Sequence, residues 1–299
     1  MIIGEASPNS ASGLALPSIK ALHRHDGYIS FAVKSGDVFC PRFAIRADAL
    51  DSTLPQFREH LLKESFLSIN ASYCLEKRNR TDLTGRPRHS SASLRYLCAC
   101  YCDIDYYNRG LGFNQVFSTV MNLCRDAVLP LASLIVDGGH GMWVLWFLHD
   151  AQDAGKAHVG AFEDNPFNHL QLYLKINRAI GERLAHLGAD PVAIDGARYI
   201  RVPGSLHMET ENEVRWWLQG NGDIPYSYTL KRLAEFFSIE VCRRQRAERR
   251  AGADCLRRQA KPNRAKGHRK AMQNKLAAFT TIMSLRGGGF KQGQRNRAT

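Results

Sequence analysis

Short apolar stretches, each of a length typical of a β-strand, recur along the first part of the chain. They are rich in aromatic, β-branched and small apolar residues and are bounded by polar or glycine-containing segments, a pattern that predicts buried strands. In chain order these stretches are GYISFAV, DVFCPRFAI, LRYLCACYCDID, LASLIV and MWVLWFL. The last two are separated by DGGHG, so we expect a glycine-rich turn between them.

A later pair of strands is predicted to form a hairpin. The segments ARYIRV and EVRWWL flank the turn-like sequence PGSLHMETEN. Val214, Trp216 and Leu218 occupy every second position of the second segment, as expected of a strand with one buried face. This alternation makes a hairpin the expected arrangement of the two segments.

Segments with apolar residues three to four positions apart lie between and after the predicted strands and predict amphipathic helices. The clearest of them ends before Pro130, which cannot continue a helix. Because helices and strands mix throughout the body of the chain, the fold class is predicted to be α+β or α/β. The predicted helices cover residues 53–68, 112–129 and 168–187, a region that begins at 228–242, and a last segment from about 270.

The positive charge is concentrated near the end of the chain. The 299 residues carry a net charge of +13, yet residues 243–299 hold 17 Lys/Arg against two acidic residues, which leaves residues 1–242 at −2. A basic block of this density indicates a polyanionic partner, most simply nucleic acid, although a solvated arm without a specific partner would have the same composition. We therefore predict a main domain at 1–242 and a basic helical region at 243–299. The absence of a closing helix or cap leads us to expect that this helical region could be incomplete.

The composition also bears on cellular location and on redox chemistry. No stretch approaches the roughly 20 apolar residues of a membrane span, and the first residues lack the features of a signal peptide. We therefore expect a soluble, cytoplasmic protein without a membrane partner. The eight cysteines form no Cys-x-x-Cys pair, so neither a zinc ribbon nor a disulfide framework is expected. Cys98, Cys100 and Cys102 are predicted to be small apolar residues on one face of a buried strand.

Two carboxylates, Asp103 and Asp105, stand at the end of the predicted strand LRYLCACYCDID. Side chains alternate along a strand, so both carboxylates point to one face, about 6.6 Å apart along the chain. Two like charges on a buried strand are costly unless a cation neutralises them, and oxygen ligands suit Mg²⁺ or Mn²⁺. A strand end that simply exits into solvent would show the same pattern, so both interpretations stay open at this point.

The turn DGGHG contains a second candidate site. Backbone N–H groups around Gly138, Gly139 and Gly141 could be presented to a phosphate, and His140 could add a donor or a positive charge. An ordinary glycine-rich hairpin turn is the alternative.

A third group of polar residues follows the helix predicted at 168–187. Asp190 comes directly after it and Asp195 a few residues later, and either would supply a third carboxylate to a two-metal site. Asp190 is favoured because it follows the helix immediately, although an ordinary cap or turn role is the alternative. Arg198 and Arg201 flank the next strand and could hold a triphosphate or a template phosphate.

Taken in order, these three motifs resemble those of the archaeo-eukaryotic primase superfamily, also called primase-polymerases. The family's first motif is an apolar strand ending in Asp-x-Asp, which here is YLCACYCDID. Its second motif in plasmid and mobile-element members is a DSGRG-type turn followed by a strand with a tryptophan, here DGGHGMWVLW. Its third is an acid followed by an arginine-rich strand and a PGS turn, here ADPVAIDGARYIRVPGS. The resemblance covers about residues 65–215.

The resemblance implies an α+β catalytic core with a sheet like that of an RNA-recognition module, followed by a basic helical C-terminal region. It implies that Asp103, Asp105 and Asp190 are the catalytic residues and the ligands of Mg²⁺ or Mn²⁺. The implied activity is primer synthesis on a single-stranded DNA template from nucleoside triphosphates, during replication of a plasmid or mobile element. A replicative helicase or an initiator would be a further partner. The implied nucleotide-binding residues are Gly139, His140, Gly141, Arg198 and Arg201.

Three departures from the family pattern keep other functions open. Trp143 stands where many members have a histidine that faces the nucleotide phosphates, His140 replaces the arginine of the turn, and Gly138 replaces its serine. One alternative is a non-catalytic replication or DNA-binding protein that keeps the fold and the basic region. A metal-dependent nuclease is a further alternative, since three carboxylates also suit hydrolysis.

Other residues could contact DNA directly. The polar loop at 76–95 carries several arginines that could hold template or primer phosphates, with a solvated surface as the alternative. Trp216 and Trp217 could stack on bases, with one of them alternating into the core as the alternative. The loop arginines are Arg78, Arg80, Arg86 and Arg88.

Overall fold

The computed structural model describes residues 2–5, 16–35, 38–53, 64–72, 91–153, 155–156, 158–161, 169–208 and 211–241. All of them belong to the first of the two units into which the chain divides, Met1–Arg243 and Arg244–Thr299. The loop arginines at 78–88, the basic region at 243–299 and its predicted last helix lie outside the described residues. The roles given to the two predicted domains remain predictions.

Helices and strands alternate along the described residues, which confirms the mixed α+β class. The helices are α1 (Leu16–Leu22), α2 (Leu50–Thr53), α3 (Phe113–Arg125), α4 (His169–Leu184) and α5 (Leu230–Phe236). The strands are β1 (Ile2–Glu5), β2 (Tyr28–Ser35), β3 (Val38–Arg46), β4 (Phe66–Ser68), β5 (Ala71–Ser72), β6 (Leu94–Leu97), β7 (Ala99–Ile104), β8 (Leu134–Asp137), β9 (Met142–Leu148), β10 (Val159–Gly160), β11 (Tyr199–Arg201), β12 (Arg215–Asn221), β13 (Ile224–Pro225) and β14 (Ser227–Tyr228). Among the described helices, none has both the length and the apolar character needed to cross a membrane.

The first sheet carries the Asp-x-Asp motif and is covered by a helix on each face. Its described strands run in the order β1–β12–β8–β9–β14, while β13 pairs with β12 and β7 pairs with the edge of β9 opposite β8. On one face Phe113 of α3 stacks on Trp217, with ring centroids 5.0 Å apart. On the other face Tyr173 of α4 contacts Tyr101, at 6.5 Å between centroids. Covering both faces explains why β9 is apolar at nearly every position rather than at every second one.

The second sheet packs into the same hydrophobic core. Its described strands run in the order β10–β6–β5–β2–β4–β11, and β3 pairs with the long strand β2. Ile29, Leu67 and Leu97 of this sheet belong to one buried cluster with Tyr101 and Trp146 of the first sheet. The predicted strands GYISFAV and DVFCPRFAI are confirmed as β2 and β3.

The predicted single strand LRYLCACYCDID is in fact two strands that belong to different sheets. The chain crosses between the sheets at Cys98, whose N–H donates to Asn70 Oδ1 at 2.7 Å and whose carbonyl accepts from the Leu148 N–H at 2.7 Å. The buried Asn70 amide also donates to the Tyr173 hydroxyl at 2.9 Å and to the Gly196 carbonyl at 3.0 Å. Both halves are buried, so the apolar pattern continues across the break and conceals it.

The predicted hairpin of ARYIRV and EVRWWL is wrong. Strand β11 pairs with β4 of the second sheet, whereas β12 pairs with β8 and β1 of the first. The turn between them does close on itself, since the Gly204 N–H donates to the Val214 carbonyl at 2.9 Å. The strands then diverge because each completes a separate sheet. Trp216 and Trp217 are both buried, so the core interpretation is correct for both.

The spacing of apolar residues along the sequence predicted short helices and strands least reliably. The helix predicted at 53–68 is wrong at its end, where Phe66–Ser68 is strand β4, and residues 54–63 lie outside the described part. The polar stretch 150–166, which shows no strand pattern, contains the short strand β10, which pairs with β6. The helices predicted at 112–129 and 168–187 are confirmed as α3 and α4. The described cysteines are free thiols.

Candidate functional site

The structure brings Asp190 beside the two carboxylates at the end of β7. The main-chain N–H of Asp190 donates to the carbonyl oxygen of Asp103 at 2.8 Å, and the Asp105 N–H donates to the Gly188 carbonyl at 2.9 Å. These bonds make an antiparallel bridge along the edge of β7 that is not paired with β9. The segment after α4 therefore extends the sheet and places the third predicted acid next to the first two.

The electrostatics of these three acids, called here the carboxylate trio, disfavour three negative charges. Burial raises the pKa of Asp103 to about 8, and the charge of Asp105 is the next cause. Asp190 raises it further, whereas Arg198 opposes the rise. The pKa of Asp105 is also raised, by burial and then by the charge of Asp190. Because like charges and burial both penalise the ionised trio, a bound cation would stabilise it.

The donor set fits a hard divalent cation. Carboxylate oxygens are the ligands that Mg²⁺ and Mn²⁺ prefer. Within the part of the chain that the structure describes, the oxygens of the trio do not all lie within 4.8 Å of one another. One Asp190 oxygen, Oδ1, accepts from the Val192 N–H at 2.9 Å, which orients the carboxylate.

Asp195, the alternative third ligand, is engaged elsewhere. Its Oδ2 pairs with Arg198 at 3.0 Å and its Oδ1 accepts from the Ala197 N–H at 2.8 Å. Its carbonyl accepts from the Tyr101 hydroxyl at 2.8 Å. The structure thus places Asp190 with Asp103 and Asp105, and makes Asp195 the partner of Arg198.

The glycine turn lies against the carboxylate trio. A Cβ atom at Gly141 would be 3.4 Å from Asp105 Oδ1 and 3.2 Å from the Ile104 carbonyl, so a side chain there would crowd the acid. The Gly138 N–H donates to the Gly141 carbonyl at 2.8 Å, and the Gly139 N–H donates to Asp137 Oδ1 at 3.0 Å. These two amides therefore hold the turn together instead of facing a phosphate, which corrects that part of the sequence-based expectation.

An ion pair that the sequence did not reveal supports the turn. Asp137 is buried, and its Oδ2 accepts from Arg215 Nη2 at 2.6 Å. The Tyr106 hydroxyl donates toward Asp137 Oδ1 at 3.3 Å and lies 3.1 Å from the Gly139 carbonyl. Arg215 and Asp137 are partners in the register of β12 and β8, which no local pattern shows. A cavity of about 600 Å³ opens here, lined in part by these residues and His207.

Arg201 approaches the turn from the second sheet. A Cβ atom at Gly138 would lie 3.5 Å from Arg201 Cδ, so the two are in contact distance. The guanidinium pairs with Glu64 at 2.5 Å and lies over the Phe66 ring at 5.0 Å. Arg201 is therefore close to the turn, as expected of a phosphate ligand, but its charge is already neutralised by a carboxylate that sequence reasoning missed.

Trp143 faces the same side of the sheet as the trio. It is the direct neighbour of Asp103 in the pairing of β9 with β7, and directly paired residues share a face. Its ring lies 5.7 Å from that of Tyr101. The position at which the resemblance leads us to expect a phosphate-binding histidine is thus filled by an indole beside the first acid.

A second cluster of ligand-type side chains lies away from the trio, after α1. Ligand atoms of His23, His25 and Cys98 lie within 4.8 Å of one another. The Gly27 N–H donates to His25 Nδ1 at 3.0 Å, which leaves the ring proton on Nε2, 3.0 Å from His23 Nδ1. Burial lowers the pKa of His25 to about 3 and raises that of the Cys98 thiol to about 12. His25 and Cys98 are therefore uncharged near neutral pH, and all three groups are buried.

Comparison with known proteins places this geometry in context. No protein-family model matches the chain. A replication protein of Clostridium perfringens is 23% identical over 156 residues, which are 52% of this chain and 34% of that protein. The chain thus spans about a third of the length of this relative.

The chain is also similar to three solved structures. The archaeo-eukaryotic primase domain of the cyanophage S-2L primase-polymerase has a TM-score of 0.46 and 14% identity, covering 74% of this chain and 95% of that domain. The catalytic domain of primase RepB′ in complex with initiator DNA has a TM-score of 0.39, 11% identity and coverages of 74% and 93%. Primase RepB′ itself has a TM-score of 0.40, 12% identity and coverages of 82% and 66%.

The sequence relative is a replication protein, and the structural neighbours are primase and primase-polymerase domains of the archaeo-eukaryotic type. The roles of individual residues in this chain rest on its own geometry.

Proposed function

We propose that the chain is a primase-polymerase that synthesises primers on single-stranded DNA by metal-dependent nucleotidyl transfer. The observation that carries the proposal is the bridge that places Asp190 beside Asp103 and Asp105. The bridge joins the first and third motifs of the family resemblance, and Gly141 of the second motif lies against Asp105. The name of the sequence relative supports a role in replication, and the motif resemblance favours a plasmid or mobile element as the setting.

Each group of residues has a distinct part in this reaction. The carboxylate trio holds Mg²⁺ or Mn²⁺. The bound cation reduces the repulsion between the negative charges of Asp103, Asp105 and Asp190. When bound, such ions activate a 3′-hydroxyl and stabilise the leaving pyrophosphate. Arg198 and Arg201, from the strand that follows, position the triphosphate by charge-assisted hydrogen bonds. No covalent intermediate is required, because positioning and charge neutralisation supply most of the catalysis.

The partners follow from the same proposal. They are a single-stranded DNA template, nucleoside triphosphates and a replicative helicase or initiator. The first sheet, which carries Asp103, corresponds to the RNA-recognition-like sheet of the superfamily. The basic helical region at 243–299 adds sequence-independent affinity for DNA that falls with rising salt.

A template-directed incorporation assay tests the proposal. The full chain is incubated with single-stranded DNA, labelled nucleotides and Mg²⁺ or Mn²⁺, beside Asp103→Asn and Asp105→Asn variants. Asp126→Asn, the same change at an exposed carboxylate paired with Arg125, is the matched control. We expect template-dependent products from the wild type and the control, and a loss of at least about 100-fold in the two variants. Equal product from all four proteins would contradict the proposal.

A non-catalytic replication protein that binds DNA is the second candidate. Two observations favour it: Trp143 occupies the position of the family histidine, and Glu64 neutralises Arg201. Salt-sensitive DNA binding without any nucleotide incorporation by the wild type, in either metal, would support this candidate over the first. Shortening of the template instead of extension would indicate a nuclease.

A further inference from the structure

Three aromatic rings contact one another in series beside the carboxylate trio, and this series is called here the stack. Tyr107 stacks on His140, with ring centroids 4.8 Å apart and an interplanar angle of 23°. His140 in turn meets His207 edge-on, at 4.9 Å and 62°. His207 is 2% exposed, whereas Tyr107 is 65% exposed. The stack therefore has a fixed, buried end and an aromatic face open to solvent at the other end.

The buried end is held by the backbone around it. The His207 N–H donates to the Asn212 carbonyl at 2.9 Å, and the Glu211 N–H donates to the His207 carbonyl at 2.8 Å. His207 also lines the cavity of about 600 Å³. Because the His207 side chain is also buried, it gives His140 a fixed surface to pack against.

The exposed end is held by its own short turn. Tyr107 belongs to the 3₁₀ turn Tyr106–Arg109, which ends at Gly110 in the left-handed conformation, with φ of 65°. Its neighbour Tyr106 is buried, and the Tyr106 hydroxyl bonds to Asp137 and to the Gly139 carbonyl. The turn is thus pinned to the glycine turn on one side, while Tyr107 presents its ring outward.

The stack lies next to the acids. Tyr107 follows Asp105 by two residues, and His140 precedes Gly141, where a Cβ would be 3.4 Å from Asp105 Oδ1. The Tyr107 ring therefore belongs to the segment that follows the second acid of the trio and packs on the turn that contacts that acid. Exposed aromatic faces of this kind are the usual binding surface for bases of single-stranded nucleic acid.

We propose that Tyr107, supported from behind by His140, binds a nucleobase by stacking beside the carboxylate trio. The inference rests on the proposed function, since it assigns the base that this site handles. Every base has a π-face, so the contact tolerates any sequence. His140 thereby acts through Tyr107 as a positioning residue, and not as a ligand of the triphosphate. The base belongs either to single-stranded DNA or to an incoming nucleotide, and the chemistry of the contact is the same.

Binding measurements on Tyr107 variants test this inference without requiring catalysis. Tyr107→Leu keeps bulk but removes the ring, Tyr107→Phe keeps the ring, and Ile224→Ala is a control at another exposed apolar position. In one arm, anisotropy compares a labelled single-stranded oligonucleotide with the same oligonucleotide carrying abasic sites. In the other arm, calorimetry compares ATP with tripolyphosphate in the presence of Mg²⁺.

We expect the wild type, Tyr107→Phe and Ile224→Ala to prefer the base-containing ligand in one arm. Tyr107→Leu should lose that preference, with affinity for the base-containing ligand weakened at least about fivefold. The arm that responds identifies the base as template or as incoming nucleotide. A preference that Tyr107→Leu retains, or no preference by the wild type in either arm, overturns the inference.

The same proteins separate this inference from the proposed function. If the wild type makes no primers but prefers the base-containing ligand, and Tyr107→Leu lacks this preference, the stacking site is supported and the primase activity is contradicted. A wild type that makes primers, with unchanged base preference in Tyr107→Leu, supports the activity and overturns the stacking site. Circular dichroism of Tyr107→Leu should match the wild type, because the side chain is exposed, and Tyr107→Phe restores the preference only if the ring is responsible.

Discussion

The main-chain N–H of Asp190 donates a hydrogen bond to the carbonyl oxygen of Asp103, at 2.8 Å. This bond belongs to the backbone, so the third acid is positioned without depending on either carboxylate. The side chains are therefore left to interact with one another and with a ligand. Burial and like charge raise the pKa of Asp103 to about 8. A cation bound beside Asp103 would therefore stabilise its ionised carboxylate.

Divalent cations are expected to stabilise the folded protein through this site. A ligand that binds the folded state at a concentration 100-fold above its Kd adds about 2.7 kcal/mol to the free energy of unfolding. We therefore expect the Tm of the wild type to rise with added Mn²⁺ or Mg²⁺, and that of Asp103→Asn to rise much less. Differential scanning fluorimetry measures both. Asp126→Asn should respond like the wild type, and an equal response of Asp103→Asn would place the cation elsewhere.

Arg201 is expected to contribute to the affinity for nucleoside triphosphate, and Glu64 is expected to compete with the triphosphate for the Arg201 guanidinium. Hydrogen bonds to charged groups contribute about 1.5–3 kcal/mol, so Arg201→Ala should weaken nucleoside triphosphate binding at least about tenfold. Glu64→Gln should strengthen it, because the guanidinium is released from its 2.5 Å ion pair. Calorimetric titration measures both changes, with the exposed Arg125→Ala as control. Weaker binding in Glu64→Gln would show that the ion pair positions Arg201 instead of competing for it.

Asn70 is expected to be a major contributor to stability. Its fully buried amide bonds the Cys98 N–H, the Tyr173 hydroxyl and the Gly196 carbonyl. Asn70→Ala leaves these partners buried and unsatisfied, so we expect the free energy of unfolding to fall by about 3 kcal/mol. Urea denaturation measures the change. The exposed Asn108→Ala serves as the control, and a loss below about 1 kcal/mol would mean that water replaces the amide.

His25 is expected to make stability fall in mild acid. Its pKa is lowered from 6.5 to about 3 in the folded state, first by burial and next by the charge of His158. Between these values the unfolded chain binds the proton and the folded chain does not, so stability is lost as pH falls below 6.5. The slope from this group is at most about 1.4 kcal/mol per pH unit.

Denaturation at intervals from pH 7 to pH 5 tests this expectation. His25→Gln should be less stable at pH 7 but show a shallower decline with acid than the wild type. The exposed His186→Gln should keep the wild-type slope. Parallel curves for His25→Gln and the wild type would assign the acid sensitivity to other groups.

Long helices and the central strands were predictable because their signal is local. The apolar spacing of α3 and α4 and the unbroken apolar run of β9 depend only on neighbouring residues. The break at Cys98 and the divergence of β11 from β12 were missed, since both depend on which distant strand each segment pairs with. The spacing of apolar residues records that a strand is buried but not in which sheet.

The sequence by itself determined the candidate acids and their order. The alternation of side chains along a strand places Asp103 and Asp105 on one face. The order of the three motifs identified Asp190 as the third acid. Only the tertiary structure decided that Asp190 lies beside them and that Asp195 pairs with Arg198. The reason is that a pairing register joins residues far apart in the chain.

The remaining contacts of the site also join residues far apart in the chain, so only the tertiary structure revealed them. The glycine turn was visible as DGGHG, yet its Asp137–Arg215 support, the Glu64–Arg201 pair and the stack of Tyr107 on His140 were not. Each of these joins side chains from different elements. Their distances are set by how the two sheets and their turns pack, and no local spacing along the chain contains that information.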